Sequence, residues 1–511
     1  MACCSCHMNR RAFLELSALG TASVSLAGIA PVYAGRQIED WNPDKPLAQF
    51  GKPLKVQPVL MYTVSEYRKQ RSFKSWGGIQ NDKAADREAD RLTQELQKLK
   101  QESEFPVEIL PVAKAKTVEE AGKVHRRDYD AIIIYPARGG GDLLRACISK
   151  EKDTVIFARK SSGPVYYWYE ALSVKYLQTE KETADEALKQ GKYVHVEDVV
   201  IDDIDELKWR LRALHAVKNF LGTKIVALGG PWGKYSPEAP EIATGKFGME
   251  IIDVSYEDLA ARIKNARANK RLAQKSKEWA KRYIAIPGTT LKTDMTFVEN
   301  CFVLYHIFKD LMLEHNTDAF TIRNCMAAIM PMSETTACLT LELLNDEGYM
   351  AFCESDFVII PAGVLLRYIS GKPVFLHNST FPHKGEVTCA HCTGPRRMDG
   401  VNYDPAEITT HYESEYGAAP KVDMPVGQEL TFIDPEYSTG RWLGFKGRVI
   451  CNPYYEICRS QQDVKITGDW KRLKNEVRDS HWVNVYGDYL KEAGYAARKL
   501  GLTWDNISDA G

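Results

Sequence analysis

At 511 residues the chain is too long for one hydrophobic core and should divide into roughly two to four domains. It is 44% hydrophobic and 26% charged with a formal net charge of −1, which excludes a disordered or fibrous chain. The basic stripe that nucleic-acid binding requires is missing, so no nucleic-acid partner is expected; the basic run Lys264 to Lys281 alternates with apolar positions and reads as a solvated helix face.

The N-terminal segment Asn9-Arg10-Arg11-Ala12-Phe13-Leu14-Glu15 resembles a twin-arginine export signal, and the Ala-, Ser- and Gly-rich run after it ends in Val32-Tyr33-Ala34. Residues 1–34 are therefore expected to leave as a signal peptide, which predicts a periplasmic or otherwise exported protein. A retained anchor would need about 18 or more strongly apolar residues, and Ser, Thr and Gly interrupt this run. No stable membrane insertion is expected after cleavage. Cys3, Cys4 and Cys6 would go with the signal, leaving Cys147, Cys301, Cys325, Cys338, Cys353, Cys389, Cys392, Cys451 and Cys458. A twin-arginine substrate folds in the reducing cytoplasm, so these are expected as buried thiols and not as a disulfide framework.

After a polar linker over residues 35–52, a first domain over 53–200 alternates strands at Val56 to Tyr62, Val107 to Val112, Ala131 to Tyr135 and Thr154 to Ala158 with helices at Lys83 to Gln101 and Val118 to Val124. Arg138-Gly139-Gly140-Gly141 follows the third strand, but without Gly-Lys-Ser/Thr or GxGxxG it reads as a turn or ligand-facing loop and not as a nucleotide site. A second α/β domain over 201–396 opens with a helix at Ile204 to Leu221 and a strand at Lys224 to Leu228, then the loop Gly229-Gly230-Pro231-Trp232-Gly233. A strand at Met249 to Val254 and helical stretches at Tyr256 to Tyr283 and Thr296 to His315 follow. Strands at Ala319 to Arg323, Tyr349 to Cys353, Val374 to Leu376 and Glu386 to Ala390 complete its expected sheet. From 397 to 511 short segments with turn signals predict a β-rich domain closed by a helix at Tyr486 to Leu500. The fold class predicted is α/β: two Rossmann-like parallel-sheet domains, then a smaller, β-rich, barrel-like domain.

The chemistry concentrates in Cys353-Glu354-Ser355-Asp356, Gly371-Lys372-Pro373-Val374-Phe375-Leu376-His377-Asn378 and Ala390-His391-Cys392-Thr393-Gly394. A helix at Phe357 to Tyr368 between two apolar runs predicts a βαβ unit, and residues just past the carboxyl ends of its strands face a ligand crevice. Glu354 and Asn378 should then share one site. Cys389 and Cys392 have metal-ligand spacing, but Cys451 and Cys458 are not the tight second pair of a structural zinc site, and haem attachment needs His directly after the second Cys. Neither zinc nor haem is expected there.

With Ile457-Cys458-Arg459-Ser460-Gln461 and Ser480-His481-Trp482-Val483-Asn484-Val485-Tyr486-Gly487-Asp488, these pieces stand in an order that resembles the L-fucose/D-arabinose isomerase family across the C-terminal two-fifths of the chain. That resemblance implies a metal-dependent aldose–ketose isomerase. It would move a proton between C1 and C2 while a divalent cation, Mn²⁺ with Mg²⁺ or Co²⁺ as alternatives, stabilises the enediolate. Glu354 matches the ligand that is also the base, Asn378 the second ligand and proton-transfer position, and His481 the third ligand. His391, Arg459 and Gln461 match sugar-binding positions. Trp482 would stack on the sugar or fill the domain junction. The family has Asp at the position of Asn378, and an amide cannot act as a base; Glu354 would work alone, or His377, Asp356 or Glu334 would substitute. Strand alternation turns His377 away from Asn378, and Asp356 also suits a helix cap. The resemblance further implies a small-molecule sugar substrate and a homo-oligomer. The alternatives are an epimerase or lyase on the same metal site, or a non-catalytic periplasmic carbohydrate-binding protein.

Overall fold

In the computed structural model, residues 38–74, 77–149, 151–159, 194–436 and 440–509 are described. The twin-arginine segment lies outside them. Among them no helix is long and apolar enough to cross a membrane, and no disulfide forms.

The first sheet contains β1 (Leu54–Met61), β2 (Val107–Ile109), β3 (Ala113–Ala115), β4 (Ala131–Pro136), β5 (Asp153–Ala158) and β6 (Val199–Ile201). All pair in parallel, in the order β2-β1-β4-β5-β6 with β3 continuing alongside β1. Successive side chains of a strand point to opposite faces. Accordingly Val56, Leu60, Ile133 and Tyr135 enter one core, and Val59, Met61, Ile132 and Ile134 the other. Burial on both faces is what a parallel sheet requires, and it explains why these strands read as unbroken apolar runs. Among the described residues the connecting helices are α1 (Asp82–Glu102), α2 (Val118–Val124) and α3 (Gly141–Cys147), with α4 (Ile204–Phe220) after β6. Asn81, Thr117 and Asp203 cap α1, α2 and α4 through their side-chain oxygens.

The second sheet has the order β11-β10-β7-β8, again all parallel. Its strands are β7 (Lys224–Leu228) and β8 (Glu250–Val254), with β9 (Thr289–Leu291) in a separate ribbon, then β10 (Ala319–Ile322) and β11 (Met350–Phe352). Between them run α5 (Ala239–Phe247), α6 (Tyr256–Ala268), α7 (Lys270–Ile284), α8 (Met295–Glu314), a π-helical turn at Cys325–Ile329, α9 (Met330–Ser333) and α10 (Cys338–Asp346). The helical stretch expected at Tyr256 to Tyr283 is two helices, because the Asn269 side chain accepts from Arg271 N and Leu272 N and restarts the chain as an N-cap. After β11 comes α11 (Ile360–Ser370).

The C-terminal region is a closed antiparallel barrel of six strands. They are β12 (Phe375–Ser379), β13 (Glu386–His391), β16 (Glu429–Glu436), β17 (Arg441–Cys451), β18 (Ser460–Thr467) and β19 (His481–Tyr486), in the order β16-β19-β12-β13-β18-β17 with β16 and β17 closing the ring. The hairpin β14 (Ala406–His411) and β15 (Tyr416–Val422) joins β9 in a three-stranded sheet. Helices α12 (Trp470–Glu476) and α13 (Leu490–Lys499) and strand β20 (Thr503–Asn506), parallel to β17, complete the chain.

This topology corrects the expected βαβ unit. Strand β11 ends the second parallel sheet, whereas β12 and β13 are barrel strands. An apolar run predicts a strand without naming its sheet, and β12 feeds two cores at once. Phe375 points into the barrel with Phe432, Phe445 and Trp482, while Leu376 points out to join Val483, Val485, Val364 and Leu365. The chain crosses between the two layers after Gly371, which ends α11 at φ 68°. Glu354 and the barrel residues therefore meet across a junction of sheet and barrel.

Candidate metal centre

Glu354 lies two residues past the end of β11, in a tight turn where Glu354 and Ser355 both have positive φ, 65° and 51°. Two successive non-glycine residues in this region cost on the order of 1–3 kcal/mol each, so the surroundings must hold them there. Ser355 N donates to Thr321 Oγ1 (3.1 Å), Trp232 N to Ser355 O (3.1 Å) and Phe357 N to Trp232 O (2.8 Å). The loop after β7 is thus stitched to the turn after β11, over the end of β10. Glycine is required in that loop at Gly229, where φ is 81° and a Cβ would lie 2.1 Å from Tyr256 Oη.

The same loop delivers Lys234. Its backbone N–H donates to Asp356 Oδ1 (3.0 Å), and its Nζ lies 3.9 Å from Glu354 Oε2 and 3.4 Å from His481 Nε2. Asp356 is fully buried and its Oδ1 also accepts from Val358 N (3.1 Å). Its other oxygen is 2.7 Å from His481 Nδ1. Asp356 does not cap α11, which begins at Ile360; it fixes the His481 ring from behind. A carboxylate accepting from Nδ1–H turns the Nε2 lone pair forward, where the Lys234 ammonium meets it.

His481 opens β19 and is itself fully buried, with Nε2 3.6 Å from Glu354 Oε2. His391 closes β13. Its Nδ1 lies 3.0 Å from Thr393 Oγ1, and its Nε2 lies 3.6 Å from Glu354 Oε1. The ligand atoms of Glu354, His391 and His481 all lie within 4.8 Å of one another. In both imidazoles Nδ1 has a partner at the rear and Nε2 converges on the carboxylate, the arrangement that protein ligands of a shared divalent cation adopt. Donors on neighbouring positions of such an ion stand about 3 Å apart, so a small inward movement would complete the site. The residues present fit a cation.

Burial pushes the Glu354 carboxyl up, but His481, His391 and Lys234 outweigh it and hold the group well below the usual carboxylate range. Burial lowers the His391 imidazole despite Glu354.

The remaining expected residues divide. Asn378 is directly opposite His481 in the β12–β19 register, so their side chains leave the same sheet face. His391, expected to hold sugar hydroxyls, stands instead with the candidate metal ligands. His377 is opposite Trp482 and fully buried between Phe375 and Phe432, with its imidazole pushed down to about 3 by burial, so it cannot replace Asp. Trp482 fills the barrel against Phe445 and donates to Asp479 O (3.1 Å); it is a core residue and not a stacking platform. Gln461 is also corrected. Its amide holds the preceding loop, donating to Tyr455 O (2.9 Å) and Cys458 O (2.8 Å) and accepting from Tyr455 N (2.7 Å). Arg459 turns to Thr410 O (2.8 Å) and the rings of Tyr412 and Tyr454. Glu334 pairs with Arg267 (3.0 Å) on the surface.

The sequence reading passed over Lys234 and the orienting role of Asp356. Both sit just past carboxyl ends of parallel strands, where the crevice rule that singled out Glu354 applies equally. No protein-family model and no curated protein matches the chain.

Proposed function

We propose that the protein is a metal-dependent aldose–ketose isomerase-like enzyme that acts on a sugar. The observation that carries this reading is the convergence of Glu354 with the Nε2 atoms of His391 and His481, each imidazole held from behind. A cation there, Mn²⁺ or Co²⁺ with Mg²⁺ less suited to two imidazoles, would supply positive charge against the negative charge an enediolate develops. Glu354, kept ionised by its neighbours, is the group that moves the proton between C1 and C2. Lys234 offsets its charge and would donate a proton to a sugar oxygen bound beside Glu354. Asn378 would add a neutral amide oxygen from the same strand face as His481. We read both parallel sheets as Rossmann-like units, because, ignoring β3, the first follows the doubly wound order 2-1-3-4-5 and the second 2-1-3-4. The Glu354 site then lies near the switch point of the second, where the loop after β7 meets the strand ends of β10 and β11. Export through the twin-arginine pathway and homo-oligomer formation belong to the same reading, from the N-terminal motif and the family resemblance respectively.

Lys234 also favours a second reading. An ammonium beside the base is a second acid/base group, as epimerisation or β-elimination through the same intermediate would need. Glu354→Gln tests what the two readings share. It should abolish exchange of the sugar C2 proton with deuterated solvent while the urea midpoint stays near that of the parent. Undiminished exchange in that variant would remove Glu354 from the chemistry.

A further inference from the structure

A second group of donors lies behind the first. Cys338 opens α10, Cys392 follows the end of β13, and His411 ends β14; all three are buried, and their ligand atoms lie within 4.8 Å of one another. They come from a helix of the second α/β unit, the barrel and the three-stranded sheet. No spacing motif in the sequence could announce them.

Two further observations point to a ligand. His411 is 6% exposed, and its Nδ1 is buried with no hydrogen-bond partner, a costly arrangement for an imidazole nitrogen unless something binds it. The Cys338 thiol also interacts with the thiols of Cys392 and Cys325. Cys325 begins the π-helical turn, and its Sγ accepts from Ala337 N at 3.4 Å. A π-turn re-aims side chains and is common where a helix is shaped around a site.

We propose that Cys338, Cys392 and His411 bind one thiophilic cation, Zn²⁺ in the resting protein, and that Cys325, beside Cys338 but outside the 4.8 Å group, closes in as the fourth donor. Thiolate and imidazole donors select Zn²⁺ over Mn²⁺ or Mg²⁺, so the two sites would sort metals by softness. Binding forms metal–sulfur bonds and releases the thiol protons to solvent, with no change of oxidation state. The site would clasp α10, β13 and β14 at one point. Its neighbour is the first site, because Cys392 is bonded to His391 and its Sγ lies 3.8 Å from His391 Nδ1. A cation on Cys392 would therefore fix the strand end that presents His391. Cys389, at metal-ligand spacing from Cys392, is in the barrel core instead, and the partners of Cys392 are distant in sequence.

Co²⁺ loading of the full chain tests this, because thiolate-to-cobalt charge transfer gives a near-ultraviolet band that a Glu–His–His site cannot produce. The parent protein should show the band, and stoichiometric Zn²⁺ should bleach it. Cys338→Ser and His411→Gln should each lose it, while Glu354→Gln and Cys451→Ser, an exposed thiol elsewhere, should keep it. Absence of the band in Co²⁺-loaded parent protein would overturn the proposal, as would its survival in Cys338→Ser. Bleaching by Zn²⁺ is read on the parent chain, so the test stands even if a variant fails to fold.

Discussion

Asp356→Asn separates the orienting carboxylate from the donors it serves. The asparagine oxygen can keep the bonds from Lys234 N and Val358 N, now 3.0 and 3.1 Å. Its NH₂ then takes the position 2.7 Å from His481 Nδ1. A donor there forces Nδ1 to accept, which places the ring proton on Nε2, against Glu354. Loss of such a partner behind a ligating histidine costs about 10–100-fold in metal affinity, which is roughly 1.4–2.8 kcal/mol. Stability should fall less, by about 1 kcal/mol, since one charge-assisted hydrogen bond becomes a neutral one. The assay is calorimetric Mn²⁺ titration of parent and variant beside their urea midpoints, followed by C2-proton exchange at saturating Mn²⁺. The expected result is weaker binding by that factor, with exchange partly recovered at high Mn²⁺. A folded variant whose Mn²⁺ affinity stays within about twofold of the parent, a difference of under half a kcal/mol, would refute the tautomer argument.

Asn378→Asp adds a carboxylate opposite His481, so Mn²⁺ should bind about tenfold tighter and aldose–ketose interconversion should quicken, because cation affinity rises with ligand charge; no gain in either would mean that Asn378 does not face the metal. Away from the site, His215 in α4 is buried with neither ring nitrogen hydrogen-bonded, and burial pushes its imidazole down to about 4. The unfolded chain takes up this proton near pH 6.5 and the folded chain only near pH 4, so stability is lost as pH falls through that window, by roughly 3 kcal/mol. His215→Leu should flatten the urea midpoint between those pH values, and an unchanged slope would clear His215.

Much of the layout was legible because it depends on local pattern. Strands β4, β5 and β7 and helices α2, α4 and α8 fall within a residue or two of the segments read from hydrophobic period and caps. Glu354 and His481, distant in sequence, lie 3.6 Å apart. Legibility failed where a choice depended on distant chain. Nothing within Pro373 to Leu376 tells that strand to leave the parallel sheet for the barrel, since both environments bury both of its faces. Trp482 and Gln461 looked like binding residues because tryptophan and glutamine suit sugars. Their burial is decided by barrel closure and by the 452–459 loop, which no local window contains. The thiol cluster was invisible for the same reason, since its members come from three sheets or layers.

The central claim is that Glu354, His391 and His481 hold a cation that makes a sugar C2 proton exchangeable. Proton NMR in deuterated water, on the full chain with its metal content measured, reads it directly across pentoses, hexoses and 6-deoxyhexoses. Exchange at C1 or C2 of at least one sugar, lost on chelation and restored by Mn²⁺ or Co²⁺, is the predicted result. A protein that binds no divalent cation at this site and exchanges no proton across that panel would contradict the account.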